Sequence, residues 1–340
     1  MSGDWFDPAL LWPAMRALIL GHFSTVGDVD SLAYVTETLR EEGVAYDVLP
    51  FIKKLSGHID QAIDRSDLNP LAYTHLIVVC GPLWPDLLTR RGVDLHSFAH
   101  CTRIGVNLTM IEPIDEWNPF HILLERDSDK EVRPDLTFLR STGRVPVAGL
   151  CMIESQREYG SRQRHGEAVH LLRKLVVDRS LAAVEIDTRW PAFRNSGGLA
   201  SPAQVASVIG RTDVLLTNRL HGLVYALKIG VPALAIDPVD GGGKVTAQGK
   251  VLGWPAVATV DAASFDWLDR MLDWCLSDEG RRAADAIAGR AVENLRHVGD
   301  QLRAALRAEF SYRPIPPSPA KADGGFKQRL VQAIRRGWRH

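Results

Sequence analysis

Long apolar runs, paired cysteines and a strong charge of either sign are all missing from this chain, and each gap removes a class of protein. No window approaches the ~20 apolar residues needed to span a bilayer. The N-terminus, MSGDWFDPALLWPAM, carries acids where a signal peptide carries a positive n-region. Cys80, Cys101, Cys151 and Cys275 are scattered, without the paired spacing of a zinc or redox site. Three of them sit in or beside apolar runs, which predicts buried free thiols in a reducing cytoplasm. A net charge of −1 gives no general drive toward nucleic acid. The first loop, GHFSTVGD, lacks the G-x-G-x-x-G fingerprint of dinucleotide binding, because Gly21 and Gly27 stand six apart. A nicotinamide cofactor is therefore disfavoured. His96 and His100 are four apart but have no third ligand nearby, so no metal site is expected.

What is present suits two domains. The length is 340 residues, and the hydrophobic fraction of 46% is that of an ordinary globular protein. Short apolar runs alternate with helical patterns, the signature of parallel α/β sheets. Residues 1–14 read as an irregular leader with aromatic anchors, and 15–140 as a first Rossmann-like αβα domain. Ser141–Arg144 reads as the crossing and 144–312 as a second Rossmann-like domain, ending in helices that brace it. Ser201-Pro202-Ala203-Gln204 forms a capping box with Pro at the first helical position, which fixes one helix start. Residues 313–340 change character: a Pro- and Gly-rich linker precedes FKQRLVQAIRRGWRH. From Arg313 onward seven Lys or Arg stand against Asp323 alone, about +6, leaving about −7 for the remainder. In that tail Phe326, Leu330, Ile334 and Trp338 recur at every fourth position among basic residues. A short basic amphipathic helix of this kind lies at an anionic membrane surface, which makes peripheral contact with the inner face an expectation.

The most informative stretch is TDVLLTNRLHGLVYALKIGVP, Thr212–Pro232. Asp213–Thr217 reads as a buried strand, Asn218–Gly222 as a turn, Leu223–Ile229 as a helix stopped by Gly230, and Ala233–Ile236 as the next strand. This places Asn218, Arg219 and His221 at the carboxyl end of a parallel strand, where open α/β sheets bind ligands. A fixed cation beside an imidazole suits an anionic substrate that undergoes proton transfer. On spacing alone a structural reading fits as well, with Arg219 capping a carbonyl and His221 a satisfied histidine. The following loop, DPVDGGGK, reads as a flexible Gly-rich segment that brings Lys244 to the same edge. In the loop after Cys151, Arg157, Arg162, Arg164 and His165 crowd together, with a mobile solvated loop the slightly favoured reading.

Taken together, TNRLHGLVYALKIGVPALAI, Lys244 and the later LGWP resemble the polysaccharide pyruvyl transferase family. LILGHFSTVGDVDSLAYV resembles its first strand and Asn-x-Gly-Asp turn, with Thr25 where the family has Asn. THLIVVCGPLWPD resembles its glycine-ended strand, with Pro82 removing an N–H donor. LLERDSDKEVRPDLTFL resembles its Arg-Asp…Pro-Asp segment in a shortened form. The likeness runs in patches from about Leu18 to Pro255 and is strong in the last third. It implies two Rossmann-like αβα domains facing a cleft, as in B-type glycosyltransferases. It also implies transfer of a pyruvyl group from phosphoenolpyruvate to two hydroxyls of a sugar of a polysaccharide or lipid-linked glycan, without metal or cofactor. The expected catalytic residues are His221, Arg219 and Lys244; the expected substrate-binding residues are Asn218, Arg126, Gly27, Asp28 and Thr25. A nucleotide-sugar glycosyltransferase of the same fold and a non-catalytic glycan-binding member are the alternatives.

Overall fold

The computed structural model describes residues 14–308. The leader expected at 1–14, but for its last residue, and the whole basic tail at 313–340 lie outside the described residues. The chain divides into two compact units between Gly143 and Arg144. Each is an α/β unit built on one five-stranded sheet, and every strand pairing within the two sheets is parallel.

The first unit contains β1 (Arg16–Gly21), α1 (Val26–Glu41), β2 (Ala45–Pro50), β3 (His75–Leu83), the single turn α2 (Leu87–Arg90), β4 (Thr102–Met110) and β5 (Ile122–Leu124). The sheet order is β2-β1-β3-β4-β5. The period of two in β1 divides its residues between two cores. Ala17 and Ile19 join Leu32 and Val35 of α1. Leu18 and Leu20 join Leu83, Leu88, Phe98 and Phe120 on the opposite face. Burial on both faces is what a parallel sheet requires, and it explains the unbroken apolar run of this strand.

The first helix begins at Val26, because Thr25 and Asp28 form a capping box at its start. β3 does not break at Gly81-Pro82 but continues to Leu83, pairing Gly81 with Leu108 and Pro82 with Thr109. Beyond Val79 this strand has left β1 and keeps only β4 beside it, a position that tolerates proline. The irregularity lies one residue earlier. Cys80 (φ 64°) and Asn107 (φ 54°) are both left-handed and stand side by side between regular pairs. Asn107 secures the distortion: its amide donates to Ser31 and Asp135, and its carbonyl accepts from the Leu136 N–H.

The second unit contains β6 (Val147–Cys151), α3 (His165–Asp178), β7 (Ala182–Glu185), α4 (Pro202–Ile209), β8 (Val214–Thr217), α5 (Leu220–Lys228), β9 (Ala233–Asp237), α6 (Lys244–Leu252), β10 (Val257–Thr259), α7 (Phe265–Leu276) and α8 (Asp278–Arg307). Its order, β7-β6-β8-β9-β10, repeats that of the first sheet. In both units the chain leaves the first strand in one direction and returns on its other side. This puts topological switch points between β1 and β3 and between β6 and β8. α3 packs on α7, whereas α5 packs on α4, α6 and α8, around one core that includes Leu172, Leu216, Leu223 and Leu272. The capping box at Ser201–Gln204 is present with Pro202 at the first helical position. α6 and β10 are additions to the sequence reading, and α3 begins at His165, inside the basic loop read after Cys151. All four cysteines are free and buried. Among the described residues, no helix is long and apolar enough to cross a membrane.

Candidate functional site

The carboxyl edge of the second sheet is assembled by three short-range constraints. Thr217, fully buried at the end of β8, donates its hydroxyl to the Cys151 carbonyl (2.6 Å) and accepts the Arg219 N–H (3.0 Å). A Cβ on Gly222 would lie 2.3 Å from the Thr217 hydroxyl and 3.1 Å from the Cys151 sulfur, so only glycine allows α5 to start this close to the strands. Asn218 is buried, and its amide closes on one backbone residue: its oxygen accepts the Ile153 N–H (2.9 Å), and its nitrogen donates to the Ile153 carbonyl (2.8 Å). Asn218, expected to bind substrate, spends one acceptor and one donor on joining the ends of β8 and β6 across the switch point.

The expected turn Asn218–Gly222 is shorter than read from the sequence, because α5 begins at Leu220. Arg219 is therefore its cap residue and His221 its second residue. No side chain caps this helix, so its first N–H groups are left for a ligand or solvent. The Arg219 guanidinium is mostly buried and is held by Asp187 at 3.3 Å. Asp187 follows β7 and is itself buried. Burial would raise its carboxyl, but N–H groups of Ser196 and Arg189 and the Arg189 guanidinium outweigh that and hold it below the usual range. A firmly ionised Asp187 orients Arg219 through one of its five donors and leaves the others free. His221 is exposed, and no described residue hydrogen-bonds to its ring.

The glycine-rich segment after β9 is not a loose arm. Buried Asp237 accepts from the N–H groups of Gly243 (2.9 Å) and Thr246 (2.8 Å) and from the Thr246 hydroxyl (3.0 Å). Its carboxylate thus occupies the start of α6 and makes Lys244 the first residue of that helix. The Lys244 ammonium lies over the Tyr159 ring at 5.6 Å and raises the cost of charging His165. The segment Gln156–Arg164 is likewise fixed. Gln163 pairs with Val239, the Arg164 N–H donates to the Pro238 carbonyl (2.7 Å), and Arg162 bonds the carbonyls of Asp240 and Gly242. Of the basic residues read there, Arg162 and Arg164 are structural, and Arg157 stays exposed.

In the first unit the expected binding residues are mostly occupied by one another. Asp28 accepts the N–H groups of Ser24 and Thr25, and Thr25 accepts that of Asp28, so both side chains serve the helix start. Gly27 lies in the open first turn between them. Arg126 is bound to Asp127, Asp135 and Thr109. The hydrogen bond to Asp127, above all, raises the Arg126 guanidinium further. Arg126 thus organises the turn after β5 through carboxylates of its own chain. Sequence reasoning passed over Asp187, which only its position two residues past the end of β7 signals, and read His165 as part of a basic loop rather than as the buried first residue of α3.

The arrangement defines a Rossmann-like α/β protein with a cationic, uncapped helix start at the switch point of its second sheet. Residues 131–240 match the model of the family described as polysaccharide pyruvyl transferase, which bears out over that stretch the resemblance carried by the Arg-Leu-His-Gly segment. The match includes Asn218, Arg219 and His221, starts past Arg126 and stops short of Lys244. No curated protein matches the chain. Among solved structures, similarity extends to a spinosyn rhamnosyltransferase complexed with thymidine diphosphate (10% identity, 81% of this chain and 95% of that one, TM-score 0.29). It extends also to an E. coli heptosyltransferase with ADP (15%, 77% and 100%, TM-score 0.24) and to the UDP-GlcNAc 2-epimerase from Methanocaldococcus jannaschii (8%, 78% and 93%, TM-score 0.28). At these TM-scores they add nothing to the sheet order described above.

His165 gives this edge a pH dependence. It is 1% exposed, and its Nδ1 has no partner. Burial, and then the Lys244 charge, lower its pKa from 6.5. The unfolded chain takes up this proton near pH 6.5, whereas the folded chain resists it. Stability from the neutral ring is therefore complete above that pH and is lost as pH falls toward the lower folded value. The Tm of the protein should drop between pH 7 and 5 by more than that of His165→Gln; equal slopes in calorimetry would remove His165 as the cause.

Proposed function

We propose that the edge carrying Arg219 and His221 binds phosphoenolpyruvate and that the protein transfers its pyruvyl group to two hydroxyls of a sugar, forming a cyclic ketal. The observation that carries this reading is the oriented Arg219 at the uncapped start of α5, two residues from an unbonded imidazole. The donor bears a carboxylate and a phosphate, and a guanidinium beside free helix N–H groups suits such an anion. The family match over residues 131–240 supports the same reading.

The chemistry divides among few groups. One hydroxyl oxygen bonds to C2 of the enol as C3 gains a proton, and the second hydroxyl displaces phosphate from C2. The two protons lost by the hydroxyls balance the one gained by C3 and the one that leaves with phosphate. His221 is the acid or base, because imidazole performs either transfer near neutral pH. Arg219 holds the phosphate or carboxylate, and Lys244 offsets charge on the departing phosphate. No metal or cofactor enters this scheme. The acceptor is a sugar of a polysaccharide or lipid-linked glycan. Attachment of residues 326–338 to the inner face of a membrane would confine the protein to that substrate. It is tested by co-sedimentation with anionic vesicles at low salt, where the full chain pellets and a chain ending at Ser311 does not; retention of both in the supernatant removes the anchor.

Phosphate release from phosphoenolpyruvate in the presence of sugar acceptors tests the reaction. His221→Ala should lower kcat by about 10²–10⁴-fold. Arg219→Ala should weaken donor use by ~1.5–3 kcal/mol, the worth of charge-assisted hydrogen bonds. Arg219→Lys should not restore it, since an ammonium cannot hold Asp187 and donate in a planar fork together. Wild-type rates in these variants, or release of nucleoside diphosphate from nucleotide sugars instead, would overturn the assignment.

A further inference from the structure

The last helix of the second unit runs on past the core that holds it. α8 packs on α5 and α7, and its buried residues, Gly280, Ala284 and Ile287, all lie in its first three turns. Beyond Ile287 none of its residues is buried, yet the helix continues to Arg307, about 30 Å further at 1.5 Å per residue. A helical stretch of this length is marginal in water on propensity alone, and Gly289 and Gly299 weaken it further. Its stability calls for a packed face.

Such a face is present. Val292, Leu295, Val298, Leu302 and Leu306 are 47–77% exposed. Written as heptads from Ala288, the a and d positions are Ala288, Ala291, Leu295, Val298, Leu302 and Ala305. The flanking e and g positions are Val292, Asn294, Gly299, Gln301 and Leu306. None of these residues carries a charge. Arg290, Glu293, Arg296, Asp300, Arg303 and Arg307 all fall at b, c or f, on the opposite side. There they pair with one another, Arg296 with Glu293 at 3.0 Å and Arg303 with Asp300 at 2.9 Å. So complete a separation of charge from apolar surface marks a face that leaves water.

Charge and pattern together say what covers it. The arginines of this stretch outnumber Glu293 and Asp300, and the tail from Arg313 onward is about +6, so charge opposes the chain's own tail as occupant. An uncharged seam suits another uncharged seam, and this one matches itself when two copies run antiparallel. With the two-fold axis level between Arg296 and His297, Leu295 of each copy meets Val298 of the other. Leu302 then meets Ala291, and Ala288 meets Ala305, so the largest side chains face smaller ones. The antiparallel direction also keeps the α/β units of the two copies, each attached at the start of its helix, at opposite ends. A specific interface needs about 1,000 Å² in total, or about 500 Å² from each copy. Five large apolar side chains at these exposures, with the small residues between them, are of that order.

We propose that the protein is a homodimer in which residues 288–307 of two copies of α8 pair antiparallel along this seam. The pairing goes beyond the reaction proposed above and does not depend on it.

Sedimentation equilibrium, without donor or acceptor, tests it. The full chain and a chain ending at Ser311 should both show twice the chain mass at micromolar concentration. Leu295→Glu/Leu302→Glu should raise the dimer dissociation constant by at least about 30-fold. That variant should stay folded by near-ultraviolet circular dichroism, since neither side chain belongs to the core. Arg296→Glu/Arg303→Glu, on the outer face, should leave the dimer intact. For direction, Leu295→Cys and Val298→Cys chains are mixed and oxidised; the four native cysteines are buried. The disulfide should join the two different variants. A monomeric full chain that dimerises only after truncation at Ser311 would give the face to the tail and overturn the pairing. Monomers in both cases, a dimer that survives Leu295→Glu/Leu302→Glu, or a Leu295→Cys chain that links only to itself would overturn it as well.

Discussion

The grip of Asn218 on both backbone groups of Ile153 is the contact on which the second sheet's edge depends. It joins the ends of two strands at the one place where the chain turns both ways from the sheet. With Thr217 bound to Cys151, it fixes where α5 begins, and so where Arg219 and His221 are. A buried amide that makes two bonds to one residue is demanding in geometry, because leaving either group unpaired costs ~1–3 kcal/mol. The cation and the imidazole need no scaffold of their own, since the strand ends set their place.

The helix starts along the two sheets differ in what fills them. α1 is closed by Asp28 and α6 by Asp237, each a carboxylate of the chain itself. α5 is capped by no side chain and has a cation at its cap position. The macrodipole favours negative charge at every such end, so of these three ends the one without a carboxylate is suited to an external anion. Asp187 strengthens this difference by holding Arg219 from beneath, while the remaining guanidinium N–H groups stay available.

Much of this was legible in the sequence. The strand, turn and helix from Asp213 to Ile229 follow from a short apolar run, a polar break and Gly230, and the capping box at Ser201 was plain from residue types alone. The family resemblance rested on Arg-Leu-His-Gly, which lies within the matched stretch. What was not legible concerns partners distant in sequence. Asn218 reads as a ligand-binding amide until Ile153, 65 positions away, is seen to occupy it. DPVDGGGK reads as flexible because the residue that caps α6, Asp237, lies six positions before the Gly243 N–H it binds. Arg126 reads as an available cation because its second carboxylate, Asp135, is nine residues on. The left-handed backbone at Phe23, Cys80 and Asn107 has no signal in residue type at the first two positions, since neither favours it.

The paired distortion of β3 and β4 has a consequence for how this unit can vary. Cys80 and Asn107 leave the ladder at the same level, and regular pairing resumes on both sides, Val79 with Val106 and Gly81 with Leu108. A residue lost from one strand alone would shift every later pair and turn its side chains to the opposite face. These two strands can therefore lengthen or shorten past this level only together, so insertions and deletions in their outer halves should be inherited as matched events.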